Sequence, residues 1–164
     1  MSVAPIEVVV VLECDPAHAF EAFVAGIGHW WPLGTHSLSH MAGLGPSRAL
    51  RLEPGEGGRL IETDADGQEH IWGSVTAWDP PRALCLSWHV GRTSALATEV
   101  SVRFERTDDN RTGVTLIHSN WQILGDAGAP IRDRNANGWP TLLGHHYATY
   151  AQTRNLTGTA ERTD

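Results

Sequence analysis

The spacing of hydrophobic residues along the chain switches between the period of a strand and the period of a helix. Residues 6–13, IEVVVVLE, are short, apolar and β-branched, which predicts a strand. Asp15 and Pro16 then supply a helix N-cap and a first-turn proline, and apolar residues recur at helical spacing over residues 20–27. The chain is therefore expected to begin with a strand and an amphipathic helix.

Between residues 48 and 119 the pattern is strand, turn and strand again. The clearest alternation is TEVSVRFER, where Val100, Val102 and Phe104 share one face and charged or hydroxyl side chains share the other. Asp-Gly and Asp-Pro-Pro sequences fall between the apolar runs, as is typical of tight turns. This segment predicts a meander of about six antiparallel strands with one apolar, concave face.

The strand at residues 70–78, HIWGSVTAW, does not show which face is buried. In simple alternation Trp72 and Trp78 share one face, and Val75 lies on the opposite one. Both faces suit a core. Gly73 could leave space beside the strand or permit a bulge.

The last periodic segment, residues 137–154, predicts a helix with Pro140 in its first turn. We expect it to lie across the concave face of the sheet, with Leu143, His146, Tyr147 and Tyr150 towards the strands. Together these elements predict an α+β fold, in which one bent antiparallel sheet packs against its final helix. Residues 1–155 are interpreted as a single domain and residues 156–164 as a polar C-terminal tail.

Several phrases, taken in order, resemble the Aha1-like group of the START-like (SRPBCC) superfamily, named for the activator of Hsp90 ATPase. They are DPAHAFEAF…WWP, EGGRLIETDADGQ, WGSVTAWDPPRALCLSW, TEVSVRFER, GVTLIHSNWQILG and NGWPTLL. The resemblance covers about residues 5–154 and implies the helix-grip fold, a seven-stranded antiparallel sheet around a long C-terminal helix with a hydrophobic cavity between them. It assigns no catalytic residue, because the group shares no catalytic constellation.

Composition narrows the choice of partners. The net charge is −7 and all 12 basic residues are arginine, so a duplex nucleic-acid binder and a catalytic lysine are both disfavoured. The N-terminus lacks the pattern of a signal peptide, and no apolar stretch approaches the roughly 20 residues of a membrane span. A cytoplasmic protein without membrane insertion is therefore expected, and a homodimer is compatible with the sequence.

Nine histidines raise the question of a metal site. His36 and His40 are four residues apart, and His145 and His146 are adjacent in the predicted helix. Neither pair has a thiolate or carboxylate at ligand spacing, so no metal and no cofactor are expected.

His118 is the best candidate for acid–base chemistry, because the strand alternation points it inward among apolar neighbours. Its candidate partners are His70, Glu62, Asn120 and Tyr147. The competing interpretation is a structural histidine that is hydrogen-bonded at the end of a strand.

These observations favour a protein that binds a small apolar or aromatic molecule between sheet and helix. The predicted cavity residues are Trp31, Trp72, Trp88, Phe104, Leu116, His118, Leu143 and Tyr147, with residues 32–47 as a lid and His118 as the polar anchor. The resemblance implies two alternatives, a cyclase- or aromatase-like enzyme that uses the same cavity and an interaction module for a chaperone. The tryptophans could also be plain core residues, which would leave no cavity.

Overall fold

A computed structural model describes residues 3–153, so the expected tail at 156–164 lies outside the described residues. Seven antiparallel strands form one sheet in the order β1-β7-β6-β5-β4-β3-β2. The strands are β1 (Ile6–Leu12), β2 (Ala49–Leu52), β3 (Arg59–Thr63), β4 (Glu69–Asp79), β5 (Ala83–Trp88), β6 (Thr98–Arg106) and β7 (Thr112–Ser119). The helices before the C-terminal segment are α1 (Pro16–Val24), α2 (Ile27–Trp30) and α3 (Leu38–Met41). The predicted helix-grip fold is confirmed.

Helix α1 forms where its N-terminal signals predict it. The Asp15 side chain accepts a hydrogen bond from the backbone N–H of His18 at 2.8 Å, and Pro16 occupies the first turn. Phe20 and Phe23 are buried against Phe104 of β6, with ring centroids 5.3 and 6.0 Å apart. This aromatic contact fixes α1 against the apolar face of the sheet.

Strand β4 departs from simple alternation at two places. Leu60 pairs with Gly73 and Ile61 pairs with Ile71, which leaves Trp72 as an extra residue opposite β3. A second irregularity lies between Val75 and Ala77. The assignment of Trp72 and Val75 to opposite faces was therefore wrong, because the first bulge resets the side-chain period and both residues are buried.

Gly73 permits this bulge and leaves no empty space. A Cβ atom at this position would lie 1.8 Å from the backbone oxygen of Ser87 on β5. Only glycine fits where the two backbones approach so closely.

The C-terminal helical segment starts much earlier than residue 137. A 3₁₀ segment, Trp121–Ala127, leads into α4 (Gly128–Thr141). A π-helical segment, Leu142–Tyr147, follows, and the helix then continues as α-helix to residue 153. Pro140 therefore lies inside the helix and not in its first turn. Because proline has no N–H, it interrupts the α-helical ladder, and the wider π turns follow two residues later.

The helix packs on the apolar face of the sheet, as expected. Leu143 and Tyr147 are fully buried, whereas His146 and Tyr150 are only half-buried. The Tyr147 hydroxyl donates to the backbone oxygen of Ala19 at 2.7 Å, which ties the helix to α1. The part of the helix that precedes this packed region, residues 131–142, forms one wall of a cavity.

Candidate functional site

A cavity of about 320 Å³ lies between the sheet and the helix. Its apolar lining is dominated by five indoles from separate parts of the chain. They are Trp31 after α2, Trp72 of β4, Trp88 of β5, Trp121 at the start of the 3₁₀ segment and Trp139 of α4. The cavity therefore forms only when sheet, helix and the segment after α2 come together.

The indoles meet at steep angles. The ring centroid of Trp31 lies 5.3 Å from that of Trp72 and 5.9 Å from that of Trp139, and both pairs have edge-to-face geometry. Trp88 and Trp139 are 5.5 Å apart and tilted by 53°. Rings that meet edge to face form adjoining walls, and such walls present apolar faces and edges to an aromatic guest.

His118 lies in the cavity wall with both ring nitrogens already bonded. The Trp139 indole N–H donates to Nδ1 at 2.9 Å, and Nε2 is 2.7 Å from the Thr98 hydroxyl oxygen. An indole N–H can only donate, so Nδ1 carries the lone pair and Nε2 carries the proton. The Thr98 hydroxyl in turn donates to the backbone oxygen of Trp88 at 3.1 Å. This chain of hydrogen bonds fixes one neutral tautomer.

The surroundings of His118 also oppose protonation. Burial, together with the positive charge of Arg92, lowers the pKa of His118 to about 3. Its four candidate partners, Glu62, His70, Asn120 and Tyr147, are not bonded to it among the described residues, because Thr98 and Trp139 occupy both nitrogens. The geometry is that of a hydrogen-bonded structural histidine, and its nitrogens are not free to anchor a ligand.

Glu62 of β3 holds the covering loop, residues 32–47, which forms one side of the cavity lining. Its carboxylate accepts backbone N–H bonds from Leu38 and Ser39, both at 2.9 Å, and a hydrogen bond from the Ser47 hydroxyl. It also accepts the indole N–H of Trp72 at 2.9 Å. One fully buried side chain thus connects α3, the end of the covering loop and a cavity wall.

These four donors stabilise a buried negative charge. Burial alone would raise the pKa of Glu62, but the hydrogen bonds from Ser47, Leu38, Ser39 and Trp72 outweigh it, and the pKa is lowered. Glu62 is therefore ionised at neutral pH, and it is not among the residues that line the cavity.

The rest of the lining is mixed, with the apolar side chains of Met41, Val90, Ile131 and Leu142 beside several polar ones. Thr35 and His36 come from the covering loop, where Thr35 Oγ1 is 2.8 Å from His36 Nδ1. Burial and the nearby His146 and His40 lower the pKa of His36, which favours its neutral form. Arg92, Arg134 and Asn135 line the opposite parts of the cavity.

The sequence model of a known family matches most of the chain. The model for Activator of Hsp90 ATPase homolog 1-like protein matches residues 13–151. The chain belongs to this family. Among curated proteins, none matches the sequence.

Solved structures with the same fold include proteins with different described roles. An anthrahydroquino-gamma-pyrone synthase, Txn09, complexed with SUM, is 29% identical with a TM-score of 0.55, over 77% of this chain and 83% of that chain. CalC from Micromonospora echinospora, a self-sacrificing resistance protein, is 24% identical with a TM-score of 0.61, over 92% and 95%. The Aha1 dimer from Colwellia psychrerythraea is 20% identical with a TM-score of 0.55, over 86% and 91%. The last two likenesses show the shared fold.

In this family member the predicted cavity residues divide into two groups of four. Trp31, Trp72, Trp88 and His118 line the cavity. Phe104, Leu116, Leu143 and Tyr147 do not line it and are packed in the hydrophobic core. The tandem pair Trp30-Trp31 is split in the same way, since Trp30 packs on Tyr147 and Trp31 faces the cavity.

The missed lining residues include several from α4 and the residue that follows it. Ile131, Arg134, Asn135, Gly138 and Leu142 all line the cavity. Their spacing is helical and could have indicated the earlier helix start. Interruption by glycine, alanine and proline hid that signal.

Two further findings concern residues 3–153. No group of three or more His, Cys, Asp or Glu side chains there could hold a metal ion. No helix in the same range is long and apolar enough to cross a membrane.

Proposed function

We propose that the protein binds a small, flat aromatic molecule in the cavity between the sheet and the C-terminal helix. The observation that carries the proposal is the cavity itself, which five indoles line without filling it. Its volume of about 320 Å³ lies at the small end of ligand pockets, which span about 300–1,000 Å³. A fused ring system of about two or three rings suits this size.

The likeness to Txn09 supports an aromatic guest. That protein is named as an anthrahydroquino-gamma-pyrone synthase and is 29% identical to this chain over 83% of its own length. One fold can serve unrelated chemistries, so the indole walls remain the main support for an aromatic ligand. The family name by itself specifies no cavity ligand.

Binding is favoured over acid–base catalysis because His118 lacks a free proton-transfer position. Nδ1 accepts from Trp139 and Nε2 is bonded to Thr98, so a substrate would first have to displace one of them. The lowered pKa likewise keeps the imidazole neutral at physiological pH.

Filling the cavity should weaken ligand binding without lowering the stability of the fold. A Cβ atom at Gly138 of α4 would meet only Leu142 Cδ1, at 4.0 Å. Gly138→Leu therefore places a branched side chain in the cavity, and replacing glycine within a helix removes a penalty of roughly 1 kcal/mol. We expect the Kd for 2-naphthamide, measured by isothermal titration calorimetry, to rise at least about tenfold, since overpacking costs about 1–3 kcal/mol.

Gly144→Leu is the matched control on the same helix. A Cβ atom at Gly144 meets only Val10 Cγ1, at 3.8 Å, and this residue is exposed and outside the cavity lining. This variant should bind 2-naphthamide as the wild type does. Equal binding by both variants, or no binding by the wild type at millimolar concentration, would contradict the proposed function.

A further inference from the structure

Most arginines in residues 3–153 are paired with carboxylates. The ion-paired ones are Arg51, Arg59, Arg82, Arg103, Arg111 and Arg132. Within the same residues, Arg48, Arg92, Arg106 and Arg134 form no ion pair. Arg92 and Arg134 both line the aromatic cavity, so half of the unpaired guanidinium groups in the described chain lie at one site.

Arg92 is held in the cavity wall by neutral groups. Its Nε donates to the backbone oxygen of Leu96 at 3.2 Å, and Nη2 donates to the backbone oxygen of Trp88 at 3.0 Å. A guanidinium has five N–H donors, so these two bonds orient the group and leave three N–H bonds for other partners. The side chain is half-buried, and burial lowers the pKa of Arg92, as expected for a cation without a counterion.

Arg134 adds a second positive charge at the mouth. It is exposed on α4 and has no hydrogen bond or ion pair with another described residue. Its neighbour Arg132 lies outside the cavity lining and is fixed by the backbone oxygens of Ala4 and Pro5. Of these two arginines on α4, the unpaired one faces the cavity.

Negative charge is missing from this site, although the protein as a whole carries −7. None of the described residues that line the cavity is Asp or Glu. Glu62 is bonded to Trp72 behind the wall, but its carboxylate is saturated by donors from the covering loop. The cavity is thus a positive, apolar site in an acidic protein, which selects for an anionic ligand.

We propose that the aromatic ligand carries a carboxylate or another anionic oxygen, bound by the free N–H groups of Arg92, with Arg134 contributing at the mouth. This inference rests on the proposed function and narrows its ligand class to aromatic acids. Charge-assisted hydrogen bonds from a guanidinium to an oxyanion are about twice as strong as neutral ones, and a half-buried site is little screened by solvent. The two arginines thereby select among aromatic molecules of the same shape.

A pair of ligands with the same shape and different charge tests this selection. Wild-type protein is titrated calorimetrically with 2-naphthoate and with its neutral analogue 2-naphthamide. We expect 2-naphthoate to bind about tenfold more tightly than 2-naphthamide, and Arg92→Gln to remove most of that difference in affinity. Arg134→Gln, on the exposed helix surface, should reduce the preference about threefold without affecting folding.

Arg106→Gln is the control for net charge, because it removes an unpaired guanidinium outside the cavity lining. Arg92→Lys tests geometry, since lysine keeps the charge and loses the planar set of donors. Equal affinity of the wild type for both ligands would overturn the anion site but not the aromatic cavity. The same conclusion would follow if Arg92→Gln and Arg106→Gln reduced the preference for 2-naphthoate equally. If neither ligand binds the wild type, the proposed function itself fails.

Discussion

Replacing Glu62 by leucine is expected to lower the free energy of unfolding by about 3–5 kcal/mol. The substitution leaves four donors without their acceptor, namely the backbone N–H groups of Leu38 and Ser39, the Ser47 hydroxyl and the Trp72 indole. Each buried donor that loses its partner costs about 1–3 kcal/mol, and relaxation of the loop into solvent recovers part of the sum. Urea denaturation followed by circular dichroism measures the loss.

The same variant should also disturb the cavity, because Glu62 connects the covering loop to Trp72. Glu56→Leu is the matched control, since Glu56 is an exposed turn residue and its replacement is expected to change stability by less than about 0.5 kcal/mol. A loss below about 1 kcal/mol in Glu62→Leu would show that the loop does not depend on this carboxylate.

The second large effect is a dependence of stability on pH that originates at His118. The pKa of its imidazole is lowered to about 3 in the folded protein, against about 6.5 in an unfolded chain. Above pH 6.5 neither the folded nor the unfolded state binds this proton, so His118 makes its full contribution to the free energy of unfolding. As the pH falls below 6.5, only the unfolded state is protonated, so stability decreases by about 1.4 kcal/mol per pH unit. Between pH 7.5 and 5 the loss from this residue is about 2 kcal/mol.

His118→Gln isolates this contribution, because glutamine does not titrate. Its stability should be lower than that of the wild type at pH 7.5 and should fall less steeply towards pH 5. Glu62, whose pKa is lowered from its usual value of about 4.5, adds a loss only below that pH. His145→Gln, at an exposed position, should keep the wild-type slope. Parallel stability curves for the wild type and His118→Gln would refute the assignment.

The strand part of the fold could be predicted because its signals are local. In β6, alternation placed Val100, Val102 and Phe104 on the buried face, and all three are 0–1% exposed. Strand β4 was harder to interpret, because its bulge at Trp72 depends on the close approach of Ser87 to Gly73, which no periodicity reveals.

The helix boundary could not be predicted for the opposite reason. Residues 128–137 include Gly128, Pro130 and three Asp or Asn residues, which are poor helix formers, so their helix depends on tertiary contacts. Gly128 shows one such contact, since a Cβ there would lie 2.5 Å from the backbone oxygen of Trp121. Missing this helix start also meant missing Ile131, Arg134 and Asn135, which line the cavity.

Only half of the predicted cavity residues line the cavity, because strand alternation predicts which way a side chain points and not which groups it contacts. It correctly pointed His118 inward, yet the residues bonded to it, Thr98 and Trp139, are 20 and 21 positions away. The partners of Glu62 include two backbone N–H groups, which carry no side-chain signal at all. Such contacts follow from the assembled fold.

The most direct test of the aromatic cavity is the indole region of a ¹H–¹⁵N correlation spectrum during titration with 2-naphthoate. The chain has seven tryptophans, each with one indole N–H reporter. We expect the largest shifts for the five indoles in the cavity lining, Trp31, Trp72, Trp88, Trp121 and Trp139. Trp30 and Trp78 lie outside the lining and should move least. Shifts largest at Trp30 and Trp78, or no saturable shift at any indole, would contradict it.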